Sequence, residues 1–293
     1  MKPPRFELVS PSTITETTEF LGQNPDDSRV LAGGQSLMPL LNMRLSRPEF
    51  VVDLGGVEGL AGIEQQGQML RIGAMTTQYE LGQSAEVAAA SPLLAECVPW
   101  IGHIPIRYRG TVGGSVAHAD PAAELPAAMV ALDGEIDVAG SAGTRTIAAA
   151  DFYRGFLRTA MEPGEVLTAL RVPVEEVGVG VSVKEYARRH GDFAVTGIVA
   201  VVRVANDRIQ GARLTAFGVD SVPVRLEAAE AIFSNAEPSD ALYAEAGKLA
   251  AGAVEPDSDL HASADYRRRL TDVLTRRASL EAATRAMQTT GRG

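Results

Sequence analysis

Ala32-Gly33-Gly34-Gln35-Ser36 and Thr111-Val112-Gly113-Gly114-Ser115 are the two stretches whose reading decides the fold. Each sets two adjacent glycines beside a small hydroxyl residue and next to apolar residues of strand type. That composition lets a backbone bend tightly and approach a phosphate closely. One such loop also fits a plain turn. Two of the same type suggest two walls around a single diphosphate, so a large phosphate-bearing cofactor is the first hypothesis. The dinucleotide fingerprint G-x-G-x-x-G and the Walker pattern G-x-x-x-x-G-K-S/T are both absent, which removes the two commonest phosphate-loop architectures.

Around these loops the chain of 293 residues is long enough for two domains. No stretch approaches the roughly 20 apolar residues of a membrane-spanning helix, and the start Met1-Lys2-Pro3-Pro4-Arg5-Phe6 lacks the apolar segment of a secretory signal. A cytoplasmic protein is expected. The single cysteine, Cys97, excludes an internal disulfide framework, a four-cysteine zinc site and a self-contained iron-sulfur cluster. The net charge of −10 argues against nucleic acid as the main partner. The arginines at 267, 268, 269, 276 and 277 read as a solvated helix face.

The first segment reads as a β-α-β-type lobe. Strands at Phe6–Val9, Arg29–Ala32 and Phe50–Leu54 are separated by helices over Thr15–Gly22, capped from Ser10-Pro11-Ser12, and Leu37–Leu45. A second lobe opens with a hairpin over Ile63–Gly73 turning at Gln66-Gly67. Helices follow from Thr76 and over Pro92–Trp100, then the second glycine loop and an alanine-rich helix over Pro121–Leu132. Strands are expected at Glu135–Ala139 and Val166–Val172. Strands and helices are segregated rather than alternating, so the lobe is α+β.

Composition shifts over Val172–Gly180, a Pro/Gly/Glu stretch that reads as the domain boundary. Beyond it come strands Val181–Ala187, Ile198–Asn206 and Arg213–Gly218, with Asp207-Arg208 in a turn, and then mostly helix from Leu226 to Met287. A three-stranded antiparallel sheet on three helices is the simplest assembly. The expected division is residues 1–176, with lobes 1–57 and 58–176, then residues 177–288, with a frayed tail over 289–293.

Ser115, His118 and Asp120 lie within six residues, but a triad must converge in space and there is no G-x-S-x-G elbow. Nucleophilic catalysis is not expected. The four histidines show no i, i+4 pairing, so neither is a metal site. Asp120 and Glu124 follow the second loop, where a carboxylate would accept hydrogen bonds from ribose or ribityl hydroxyls; an acidic first helical turn fits the same pattern. Lys184 precedes Arg188-Arg189-His190-Gly191-Asp192-Phe193. A phenylalanine there either joins the core or stacks on a flat ring held between the domains.

Taken together, Ala-Gly-Gly-Gln-Ser followed by Leu37-Met38-Pro39, Thr-Val-Gly-Gly-Ser followed by His118-Ala119-Asp120-Pro121, and Arg-Arg-His-Gly-Asp-Phe resemble the FAD-binding medium subunit of the molybdenum hydroxylases, the carbon monoxide dehydrogenase and xanthine dehydrogenase family. The resemblance extends over essentially the whole chain. It implies a two-lobed FAD-binding domain of the vanillyl-alcohol-oxidase (PCMH) type, then the small sheet-and-three-helix domain.

By motif match, Ala32, Gly33, Gly34, Gln35, Ser36 and Leu37, with Thr111, Val112, Gly113, Gly114 and Ser115, would hold the FAD diphosphate. Asp120 and Glu124 are candidate cofactor contacts, Glu124 matching an acidic family position. Leu167 matches an apolar one, Lys184 a basic one near the flavin, Ile101 an apolar neighbour of the isoalloxazine, and Phe193 its aromatic cover. Gln35 stands where carbon monoxide dehydrogenases have histidine, and Phe193 where tyrosine is familiar.

The resemblance further implies a large molybdopterin subunit, a small subunit with two 2Fe-2S clusters, and a dimer of heterotrimers. It also implies an external electron acceptor and, through the complex, peripheral association with the inner membrane. The alternative is a stand-alone flavin-dependent oxidoreductase with its own substrate pocket.

Overall fold

The computed structural model describes residues 1–290. Its first lobe is a parallel sheet of Glu7–Val9, Phe50–Asp53 and Ser28–Leu31, with Phe50–Asp53 in the middle. Val51 and Val52 are both fully buried, which is why this strand reads as a continuous apolar run rather than an alternating one. Helix Ile14–Gln23 is capped by Thr13, whose hydroxyl accepts from the Glu16 amide, while the Glu16 carboxylate reaches back to the Ser12 amide at 2.8 Å. The cap therefore lies just downstream of the expected Ser10–Ser12 turn. Helix Leu37–Asn42 ends sooner than expected, because Arg44 adopts a left-handed conformation (φ 58°) that turns the chain.

The second lobe is a five-stranded antiparallel sheet in the order Ile63–Gln66, Met69–Gly73, Val166–Pro173, Glu135–Gly140, Gly143–Ala148. Its first hairpin turns at Gly67-Gln68, one residue later than expected, since Gln66 already pairs with Met69 and Gly67 supplies the positive φ. Strand Gly143–Ala148 was not anticipated. It is an edge strand whose residues are exposed except for Ile147, so no apolar alternation marks it. Helix Glu124–Ala131 is buried at all eight positions, running through the molecule with no solvent face.

The second domain is an antiparallel sheet of Val179–Tyr186, Thr196–Ala205, Arg208–Phe217 and the two-residue strand Val224–Arg225. Asn206 and Asp207 form the two-residue turn, both with positive φ, and Arg208 has already joined the ladder. Helices Glu227–Ala231, Asp240–Gly252 and Ala264–Thr290 complete the domain. The long helix follows its alanine stripe: Ala278, Ala282, Ala283 and Ala286 are fully buried, and a Cβ on Gly180 would overlap the Ala282 carbonyl. Strand and helix thus meet nearly backbone to backbone.

Arg267 is not part of a solvated face. It is buried and donates to the carbonyls of Val195 and Gly218, with Asp259 at 2.6 Å. Thr289 and Thr290 continue the last helix, and residues 291–293 of the expected tail lie outside the described residues.

The sheet's other face closes onto the second lobe. Val181, Val183, Val199, Val201 and Phe217 share one apolar core with Leu93, Leu94, Cys97 and Met129. Arg225 ties the seam at its edge, donating to the Val130 carbonyl at 2.9 Å and to Asp133 at 2.8 Å. A continuous core of this kind holds the two domains in one relative orientation.

Candidate functional site

Where the lobes and the second domain meet, a cleft of about 690 Å³ opens, within the roughly 300–1,000 Å³ of ordinary ligand sites. Its first wall is the loop after strand Ser28–Leu31. Gly34 turns it with φ 74°, and the amides of Gly33, Gly34, Gln35 and Ser36 donate to no acceptor among the described residues. Unpaired donors along a tight turn form a concavity suited to an anion.

The second wall is built differently. Thr111 caps helix Val112–His118 by accepting from the Gly114 amide at 3.0 Å. The amides of Val112, Gly113 and Ser115 are engaged by the carbonyls of Thr76, Ala74 and Thr111. Its glycines serve packing, since a Cβ on Gly113 would lie 2.6 Å from the Ala74 Cβ. Gly33 has the same duty toward the second wall: a Cβ there would overlap the Arg109 carbonyl and come 2.8 Å from the Gly110 Cα. The two glycine loops touch.

Ala32, Gly33, Gly34, Gln35, Ser36, Leu37, Ile101, Thr111, Gly113, Gly114, Ser115, Asp120, Glu124, Leu167 and Phe193 all line this one cleft. Two expected residues do not. The Val112 side chain is buried in the core behind the helix start. Lys184 projects from the opposite face of its strand, where its ammonium pairs with Glu281 of the long helix. There it lines a separate hollow with Trp100, His190 and Arg285. Strand alternation is the cause: Ser182 and Lys184 face the long helix, and Val181 and Val183 face the cleft-bearing domain.

Asp120 follows the left-handed Ala119 (φ 53°) and accepts from the Ala122 amide at 2.9 Å. Glu124, the first residue of the buried helix, is only 8% exposed. Burial pushes its carboxyl up to about 7, with the charge of Asp120 adding to the effect. Phe193 does not join the core; it is 71% exposed at the cleft mouth. The preceding turn needs Gly191 (φ 85°), because a Cβ there would lie 2.7 Å from the His103 ring.

Ser115, His118 and Asp120 line the cleft but share no hydrogen bond among the described residues, so no triad is assembled. No cluster of three metal-ligating side chains occurs among the described residues. The residue missed in sequence is Gln78, a buried glutamine in the cleft wall whose Oε1 has no hydrogen-bond partner among the described residues. Its position right after the capping threonine Thr77 was the available signal.

The arrangement offers free amides for an anion at one end and the apolar side chains of Ile101, Leu167 and Phe193 elsewhere in the wall. It thus suits a ligand that is part diphosphate and part flat ring. Residues 4–175 match the FAD binding domain in molybdopterin dehydrogenase, and residues 181–282 the CO dehydrogenase flavoprotein C-terminal domain. The chain belongs to the FAD-binding subunits of the molybdopterin dehydrogenases.

This FAD-binding subunit is 37% identical over 290 residues to the 6-hydroxypseudooxynicotine dehydrogenase complex subunit alpha of Paenarthrobacter nicotinovorans, covering 99% of this chain and 98% of that one. It is 36% identical to the carbon monoxide dehydrogenase medium chain of Afipia carboxidovorans, over 98% and 99% of the two chains. The solved quinoline 2-oxidoreductase from Pseudomonas putida 86 superposes with a TM-score of 0.94 at 36% identity, over 98% and 100%. The FAD-binding subunit is an oxidoreductase subunit, as these relatives are. Among the described residues no helix is long and apolar enough to cross a membrane.

Proposed function

We propose that the cleft holds FAD with its diphosphate against the amides of Gly33, Gly34, Gln35 and Ser36. Residues Thr111–Ser115 form the facing wall, and the ring system lies toward Ile101, Leu167 and Phe193. The unpaired amides of the first loop carry this reading. Asp120 and Glu124, which line the cleft, would accept hydrogen bonds from the sugar-alcohol hydroxyls. Lys184 has no part in it, being turned to the long helix. In this reading residues 1–176 bind the cofactor and residues 177–288 cover it.

When bound, FAD supplies the exchange between one-electron and two-electron carriers. The chain's own residues bind the cofactor, orient it and limit water at its ring. Electrons enter from the 2Fe-2S clusters of a small partner subunit and leave to an external acceptor. The reducing substrate is oxidised on a large molybdopterin subunit, the whole being a cytoplasmic dimer of heterotrimers. Nearly equal identity to relatives named for 6-hydroxypseudooxynicotine, carbon monoxide and quinoline supports a chain that does not choose the substrate.

Purifying the chain with its partners and recording flavin, iron and molybdenum content tests the assembly. A yellow chain that never co-purifies with iron-sulfur or molybdenum polypeptides would favour a stand-alone flavin oxidoreductase. A colourless chain that takes up no FAD would reject the cofactor site.

A further inference from the structure

Gln78 lines the cleft at 5% exposure, and its carboxamide is unengaged. Oε1 is fully buried with no hydrogen-bond partner among the described residues. Nε2 donates to none of them either, and unlike Oε1 it is not sealed from solvent. A buried carboxamide with both ends unmatched destabilises the wall that holds it, which points to a partner outside the chain.

The backbone leaves this side chain little freedom to turn elsewhere. The segment from Ala74 to Gln78 is zipped to the second glycine loop: the Gln78 amide donates to the Gly110 carbonyl at 2.8 Å, and the amides of Val112 and Gly113 donate to the carbonyls of Thr76 and Ala74, both at 2.9 Å. Thr77 caps the helix that Gln78 opens, and the Glu80 carboxylate accepts from the Thr77 amide at 2.8 Å. Gly110 makes room for the carboxamide, since a Cβ there would lie 2.6 Å from the Gln78 Oε1. A Cβ on Gly33 would in turn lie 2.8 Å from the Gly110 Cα. Gln78, Gly110 and Gly33 are successive contacts. They set the carboxamide at the junction of the two glycine loops, where the unpaired amides of the first loop begin.

We propose that Gln78 Nε2 donates to a phosphate oxygen of the bound cofactor, adding one side-chain donor to the four amides of the first loop. The inference rests on the cleft being the FAD site. With Oε1 backed against Gly110, the accessible end of the side chain is a donor, the end that suits an anionic oxygen. Gln78 is then a cofactor-binding residue. The polar group that is unmatched in the flavin-free chain becomes matched when the diphosphate arrives.

The test is titration of FAD into the full-length, flavin-stripped protein and its Gln78→Met and Gln78→Glu variants, with thermal unfolding of each flavin-free form. Gln78→Met keeps the length and volume of the side chain and removes both unmatched polar atoms. It should raise Kd for FAD about tenfold to a hundredfold, the scale of a hydrogen bond to a charged group, while the melting temperature of the flavin-free form holds or rises. Gln78→Glu offers only acceptors to the phosphate and should weaken binding further. The absorption bands of bound flavin should not move in Gln78→Met, because the contact is remote from the ring. Methionine binding within about twofold of the unmodified protein, or glutamate binding as tightly as glutamine, overturns the proposal. So does a shift of the flavin bands in Gln78→Met, which would put the contact at the ring, or a lower flavin-free melting temperature, which would make the carboxamide a structural group. An unmodified protein that binds no FAD would instead reject the cofactor site.

Discussion

Gly33 and Arg109 are in backbone contact: the Cα of one lies so close to the carbonyl of the other that no side chain fits between them. The two glycine loops, 76 residues apart in sequence at this contact, brace each other rather than facing a ligand independently. Their shared composition hides different structures. The first is an open turn with free donors, and the second a helix start whose amides are already seated.

Gly33→Ala should therefore push the loops apart. Because the obstacle is backbone and not a flexible side chain, the cost is that of overpacking, about 1–3 kcal/mol. Thermal unfolding of the flavin-free chain should register the loss, and FAD retention should fall with it. An unshifted melting temperature with normal flavin content would show that the loops do not meet as described.

Phe193→Ala should leave stability within about 0.5 kcal/mol, as expected for an exposed residue with no core contacts. The mouth of the cleft, however, would open. Flavin content is expected to persist while reactivity changes, which stopped-flow reduction and quenching of flavin fluorescence would read. Identical kinetics would remove Phe193 from the ring.

Lys184→Met removes the pairing with Glu281 and should cost about 1 kcal/mol or less, the scale of a partly exposed ion pair. FAD content and affinity should be unchanged. A loss of flavin would return Lys184 to the site against the strand's alternation.

Stability should also depend on pH through Glu124. Its carboxyl rises from 4.5 to about 7 in the folded chain, so the folded state holds the proton more tightly than the unfolded one. That contribution is complete below pH 4.5 and is lost as pH rises to 7, a loss of about 3 kcal/mol at 1.36 kcal/mol per unit. Glu124→Gln should flatten this limb, gaining on the unmodified chain at pH 8 and not at pH 4.5. Glu165 works in the other direction: the Arg145 hydrogen bond lowers its carboxyl, so its contribution disappears in acid. Denaturant unfolding across pH would separate the two limbs.

Much of this was legible in the residues. The parallel lobe followed from short apolar strands around capped helices, and the small domain from three strands and the mostly helical stretch from Leu226 to Met287. The family followed from two Gly-Gly motifs and Arg-Arg-His-Gly-Asp-Phe. These signals are local, set by periodicity and turn chemistry, and a sequence displays them directly. The edge strand Gly143–Ala148 stayed hidden because an exposed strand carries no apolar alternation.

What only the tertiary structure decided was which side of a surface each residue took. Val183 and Lys184 are adjacent, yet register with Thr196–Ala205 and packing on the long helix send the valine into the core shared with the first domain and the lysine to Glu281. Gly33 is glycine because of Arg109, a contact absent from any local pattern. The sequence by itself determined that a diphosphate-bearing flavin belongs here. Only the folding together of distant segments decided which loop amides are left without an acceptor and which are already seated.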